Sequence, residues 1–248
     1  MMRFSMAILW VLVIAAVALV ALAPASWLDR RIASATAGKI RINDAQGTVW
    51  RGHGALVDAQ GTWRVPIGWR VEPLAVAKGA LDVELEPSEP DAPRGRVLLQ
   101  NERADLRNVR LTVPARVLTS LSPVTLPIEP GGELVLDAPA FRYRMNQMEG
   151  SFDVRWERAR VATAGSALDL GTVTAHVAPK GSALVGTIGN VGGDARVDGD
   201  VALASSGASV RVNISPGPGV PPDIARLLSA LGTPDANGVV HLQWSQRN

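Results

Sequence analysis

The sequence predicts a mainly β protein in which an N-terminal transmembrane helix precedes antiparallel β-sheets, readable as two tandem β repeats, with two short amphipathic helices. Three observations predict it. Residues 4–28 contain no charged side chain. Beyond residue 40, apolar and polar residues alternate with the period of two that gives a strand one wet face. The chain's 24 glycines and 17 prolines cluster between those alternating segments, as the turns of many short strands would.

The first element is the apolar run. At ~1.5 Å per residue it is long enough to cross a hydrocarbon layer of about 30 Å, with Phe4, Ile8, Leu12, Leu19 and Leu22 in the span and Trp27 at its far interface. Arg3 precedes the run and Asp29, Arg30 and Arg31 follow it, so the charge rule favours neither orientation strongly. The short N-terminal tail is taken as cytoplasmic. A cleaved signal peptide is the alternative, because residues 21–23 and 23–25 both offer a small-x-small pattern. The apolar stretch exceeds the usual ~7–15 residues of a signal core, which favours a retained anchor.

The strands follow. Leu81, Val83 and Leu85 interleave with Asp82, Glu84 and Glu86, and Val109, Leu111 and Val113 with Arg110 and Thr112. Phe152, Val154 and Trp156 alternate with Asp153 and Arg155, and Val210, Val212 and Ile214 with Arg211 and Asn213. Turn signals stand between them at residues 52–54, 87–93, 131–132, 192–193 and 216–222. The helical candidates after the anchor are residues 114–121 and 222–231; the second places Ile224, Leu227, Leu228 and Leu231 on one face and stops at Gly232. A further helix over 27–37 would continue from the anchor. VRLTV, LTSL and GELVL (109–113, 118–121, 132–136) recur in order as VRVNI, LSAL and GVVHL (210–214, 228–231, 238–242). The boundaries that follow are an anchor at 1–28, a first β half at 29–130 and a second at 131–248, with one continuous β domain as the alternative.

Composition excludes several functions. With no cysteine, thiol catalysis, iron–sulfur clusters and cysteine-based zinc sites are excluded, and an exported domain is held by burial and strand ladders alone. The net charge of +2 comes from interspersed charges of both signs, which form no basic stripe for nucleic acid. His53, His176 and His241 have neither metal nor catalytic spacing, and His53 reads as part of a turn. No nucleophile elbow, P-loop or zinc-protease motif occurs. Gly186, Gly189 and Gly192 read as turn glycines, and Asp194, Asp198 and Asp200 lack the terminal Glu of a calcium loop. The sequence therefore predicts no catalytic residues, no metal and no cofactor. Trp50, Trp63 and Trp69 crowd into twenty residues after the anchor; they are either core aromatics or a partner-binding patch.

Four segments together resemble the type II secretion system protein N family, also called general secretion pathway protein N: the anchor running into APASWL (23–28), GTVWRG (47–52), IGWRVEPLAVAKGAL (67–81) and LLSALGTPDANGVVHLQW (227–244). The likeness extends over nearly the whole chain. It implies a non-enzymatic accessory component of the machine that carries folded proteins across the outer membrane of Gram-negative bacteria. It implies a single-pass inner-membrane protein with its bulk in the periplasm. Its partners would be inner-membrane platform subunits with periplasmic domains, or the outer-membrane secretin. The family supplies no catalytic residue. The alternative function is a membrane-tethered periplasmic β groove that binds lipid or another hydrophobic ligand.

Overall fold

A computed structural model describes residues 23–121, 128–145, 147–163, 166–204, 207–217 and 232–247. Its thirteen strands are β1 (Ile40–Gly47), β2 (Arg51–Asp58), β3 (Arg64–Val71), β4 (Ala80–Glu86), β5 (Arg94–Gln100), β6 (Arg103–Pro114), β7 (Glu129–Arg144), β8 (Gln147–Thr163), β9 (Ser166–Lys180), β10 (Ala183–Val191), β11 (Ala195–Ala204), β12 (Gly207–Pro216) and β13 (Val240–Arg247). They form one open sheet in strict sequence order. Among the described residues three short helices accompany it: α1 (Ser26–Ala35), α2 (Pro73–Ala77) and α3 (Val117–Leu121).

Cross-strand registers show why the alternation matters. Trp69 opposes Leu85, Val83 opposes Val97, Val97 opposes Leu106, and Leu106 opposes Phe141. Further along, Leu136 opposes Val154, Val154 opposes Ala175, Ala175 opposes Ile188, and Val201 opposes Val210, which opposes Trp244. Since opposed residues share a face, one apolar face runs across the sheet. The other face carries cross-strand ion pairs such as Arg96–Asp82 at 2.7 Å and Arg211–Asp200 at 3.0 Å. In a meander successive turns fall on opposite rims. The β1–β2, β3–β4, β5–β6, β7–β8, β9–β10 and β11–β12 connections share one rim, the near rim, and the intervening ones share the far rim.

The apolar face is filled at its two ends. Ile42, Trp63, Val65, Ile67, Trp69 and Val71 form the first cluster, with Leu28 and Ile32 of α1 packed against it. Ala159, Val161, Leu168, Leu170, Val197, Ile214 and Val240 form the second. Burial of each large aliphatic side chain stabilises by ~1.5–3 kcal/mol, so these clusters supply the hydrophobic core that replaces disulfides. Between them Leu111, Leu134, Leu136 and Val154 are only half buried.

The edge at β1 is protected. Ile42 N–H donates to Asp29 Oδ1 at 2.8 Å, Ile40 N–H donates to Thr36 Oγ1 at 3.1 Å, and the Arg41 guanidinium forks onto both Asp29 oxygens at 2.9 and 2.6 Å. Helix α1 thus occupies the hydrogen-bonding positions of a missing strand.

Several sequence expectations are refined. The helix at 27–37 is observed as α1, preceded by Ala23–Ala25 bonded to the β1–β2 turn: Val49 N–H donates to Ala23 O, and Ala25 N–H to Gly47 O. Residues 26–28, expected as the end of the anchor, belong to α1, and Trp27 is 47% exposed in its first turn. Phe4, Ile8, Leu12, Leu19 and Leu22 lie outside the described residues, as do Ile224, Leu227, Leu228 and Leu231. Among the described residues, no helix is long and apolar enough to cross a membrane. The helix expected at 114–121 is α3, shortened because Pro114 closes β6 opposite Glu133. Helix α2 is an addition, with Glu72 capping Leu74 N–H and Pro73 in the first turn.

Some glycines read as turns lie inside strands. Gly52, with His53 and Gly54, is in β2; Gly131 and Gly132 are in β7; Gly186 and Gly189 are in β10; and Asp198-Gly199 is in β11. Gly52, Gly54, Gly132, Gly186 and Gly199 mark close approach rather than reversal, whereas Gly189 has open space beside it. A Cβ on Gly186 would stand 2.9 Å from both Val177 Cγ2 and Val201 Cγ1.

The ladder is continuous through residue 130, where Pro130 of β7 opposes Val161 of β8. The repeated segments also pair in matched register: Leu111 and Val113 face Leu136 and Leu134, and Val212 and Ile214 face Leu242 and Val240. Both pairs lie within the one sheet.

Candidate interaction surface

The tryptophan trio lies at the end of the sheet beside α1. Trp63 and Trp69 are 6% and 4% exposed. Their polar atoms are satisfied: Trp69 Nε1–H donates to Thr48 O at 3.2 Å and Trp63 Nε1–H to Ser120 Oγ at 3.1 Å. Ser120 Oγ–H in turn lies 3.4 Å from Asp58 Oδ2, tying α3 to the β2–β3 turn. Trp50 is half buried against the same cluster. Of the two readings offered by the sequence, Trp63 and Trp69 follow the core reading.

The polar face brings together groups that the sequence left apart. His176 Nδ1 lies 2.7 Å from Asp153 Oδ1, and Thr187 is the next residue across the ladder. These are the residue types of a nucleophile relay. The imidazole is 60% exposed on an open sheet face, where no wall excludes water from a reaction. Among the described residues, no group of three or more His, Asp or Glu side chains is placed to hold a metal ion.

Three carboxylates are held below the ordinary range by guanidinium hydrogen bonds: Asp29 by Arg41, Asp82 by Arg96 and Asp105 by Arg103. Asp105 is 3% exposed, with Arg142 Nε 3.5 Å from its other oxygen. An unfolded Asp titrates near pH ~3.9. Because the folded values are lower, their stabilisation is fully present above that pH and is lost as pH falls through the folded values. The urea midpoint is therefore expected to change little on account of these groups between neutral pH and pH ~5, and to drop below pH ~4. Asp29→Asn, which removes the charge held by Arg41, should flatten part of that acid limb.

The sequence did not single out Trp244 or Met145. Trp244, 49% exposed, shares the apolar face with Leu242, and Met145, 77% exposed, caps the β7–β8 turn. The alternation HLQW assigns Trp244 to its face. Met145 carried no periodic signal, because a turn has none.

Comparison with known proteins gives one family. The model described as Type II secretion system (T2SS), protein N matches residues 38–243, an interval that begins just before β1 and ends within β13. A search of curated proteins and a search of solved structures each returned no match.

Proposed function

The chain belongs to the type II secretion system protein N family, and from that membership we propose that it acts as a membrane-tethered scaffold for the secretion machine. Membership itself carries a role in type II secretion as an accessory component, in a family not known for enzymes. The proposal adds the arrangement. Residues 4–28 hold the chain in the inner membrane with the N-terminus in the cytoplasm, and the sheet stands in the periplasm and binds platform subunits or the secretin. Tethering raises the local concentration of the sheet near other membrane subunits without any new contact.

The observation that carries this reading is that the family match spans the sheet from edge to edge. The sheet also has unequal edges, which suits binding. The β1 edge is occupied by α1, whereas β13 pairs with no strand on its outer side among the described residues and carries there the isolated bridge between Pro234 and Val240. A partner strand added to β13 beyond Val240 would gain main-chain hydrogen bonds at alternate residues. Deleting the chain is expected to reduce release of secreted proteins while their export into the periplasm continues. Normal release from the deletion strain would refute the scaffold role.

The lipid-binding reading is supported by one feature, the half-buried middle of the apolar face between the two clusters. Lipid retained by the purified protein, and displaced by Leu136→Arg in that middle section, would favour it over the scaffold.

A further inference from the structure

The apolar side chains left in water are not spread evenly over the sheet. Of the ten large hydrophobics exposed among the described residues, Leu118 and Val191 lie at the far rim. Trp27 lies in the first turn of α1, and the others, among them Leu74, Leu81, Leu99, Met145, Leu203 and Trp244, lie in near-rim connections or on the strand halves that lead to them. Scattered surface leucines need no explanation, but a one-sided set marks a binding surface.

Met145 sharpens the point. It occupies a two-residue turn between Arg144 and Gln147 with φ +41°, a conformation that favours Gly, Asn or Asp. A long apolar side chain held there and 77% exposed gains nothing from the fold.

The first described residues lie on the same side. Pro24 bridges Thr48 in the β1–β2 turn, so residues 1–22 join the domain at the near rim. The near rim also carries Lys78, Arg103, Arg144 and Lys180 against Glu72 and Glu102. Lys78 and Lys180 form no ion pair among the described residues. Among the described residues the far-rim connections, by contrast, carry Glu89, Asp91, Asp194 and Asp235 against Arg116.

We propose that the near rim is a peripheral membrane-docking surface that rests on a bilayer containing anionic phospholipid. Leu74, Met145, Leu203 and Trp244 face the headgroup–acyl boundary, and the lysines and arginines snorkel toward phosphate. The strands then stand away from the membrane and the acidic far rim points into the aqueous compartment. This rests on the anchored reading of residues 4–28 and adds to it a fixed orientation, because an anchor alone leaves the domain free to turn.

The absence of cysteine makes the test clean. Full-length chain carrying Leu74→Cys, Met145→Cys or, as the far-rim reference, Asp91→Cys is labelled with an environment-sensitive fluorophore. Each is reconstituted into phosphatidylethanolamine–phosphatidylglycerol vesicles that contain a brominated lipid. The expected result is blue-shifted emission and strong bromine quenching at Leu74→Cys and Met145→Cys, with neither at Asp91→Cys. Replacing phosphatidylglycerol with phosphatidylcholine, or adding Lys78→Glu with Lys180→Glu, should reduce the quenching severalfold. Protein that floats with the vesicles while its near-rim labels match the Asp91→Cys label overturns the docking proposal and leaves the anchor intact. Near-rim labels shielded from water yet unquenched by lipid also overturn it, in favour of a protein partner or a second copy. Protein that does not float at all overturns docking and anchor together.

Discussion

Trp69→Ala is expected to remove ~3–5 kcal/mol of folding stability, the range for deleting a buried large aromatic. The indole is 4% exposed and lies at the heart of the cluster that includes Ile42, Trp63, Ile67 and Val71. Its ring fits against Gly52, directly opposite it across the β2–β3 ladder: a Cβ on Gly52 would stand 2.6 Å from Trp69 Cζ2. Neither strand can shift to fill the void without losing that ladder, so the cavity persists. The substitution also leaves Thr48 O without its indole donor, and Thr48 lies where the N-terminal segment joins the sheet. A loss of this size should lower the thermal midpoint by roughly 10 °C for a domain of this size. Trp244→Ala, which removes a half-exposed ring, should change stability by less than ~1 kcal/mol. Urea unfolding of the two variants measures the contrast, and equal losses would mean that the cluster around Trp69 is not the core of that end.

The two tryptophans also show what the sequence can convey. Alternation placed Leu81, Val109, Phe152 and Val210 in strands because a half-wet sheet imposes a period of two, and each lies in a strand with its partners on the apolar face. The same pattern could not say whether Trp69 packs inward or meets a partner. Both outcomes put an aromatic on the apolar face, and only the neighbours that cover it decide. Glycine is ambiguous in the sequence for a related reason. Gly52 and Gly132 look like reversals in one dimension, whereas in the sheet they are places where a ring or a backbone comes too close for a side chain. The hairpins at Asn101-Glu102 and at Met145 give no turn signal because neither contains glycine, although both Glu102 and Met145 adopt positive φ. The concentration of exposed apolar residues on one rim was beyond the reach of periodicity. It depends on which turns share a side, and that follows from the strict strand order.

Gly132→Ala is expected to cost ~3 kcal/mol or more, the sum of a left-handed backbone penalty and an overpacking strain. Gly132 has φ +89° at a bulge where the β7–β8 register slips between Gly131 and Glu133. An added Cβ would run into the carbonyl oxygens of Glu157 and Arg158, and those are backbone atoms with no rotamer to adopt. Relief would have to come from moving β8 away. Trp156, whose indole N–H donates to Gly131 O at 2.7 Å, sits on that strand, and Gly132 O accepts Ala115 N–H at the entrance to α3. The bulge therefore couples the strand pair at the centre of the sheet to the helix that supports Trp63 through Ser120. Gly61→Ala isolates the clash from the backbone penalty, because Gly61 has φ +70° but nothing within 4 Å of its missing Cβ, and it should cost only ~1–2 kcal/mol. Urea midpoints of the two alanine variants give the difference directly. If Gly61→Ala and Gly132→Ala lose the same amount, the close approach of β7 and β8 contributes nothing, and the centre of the sheet is looser than its register implies.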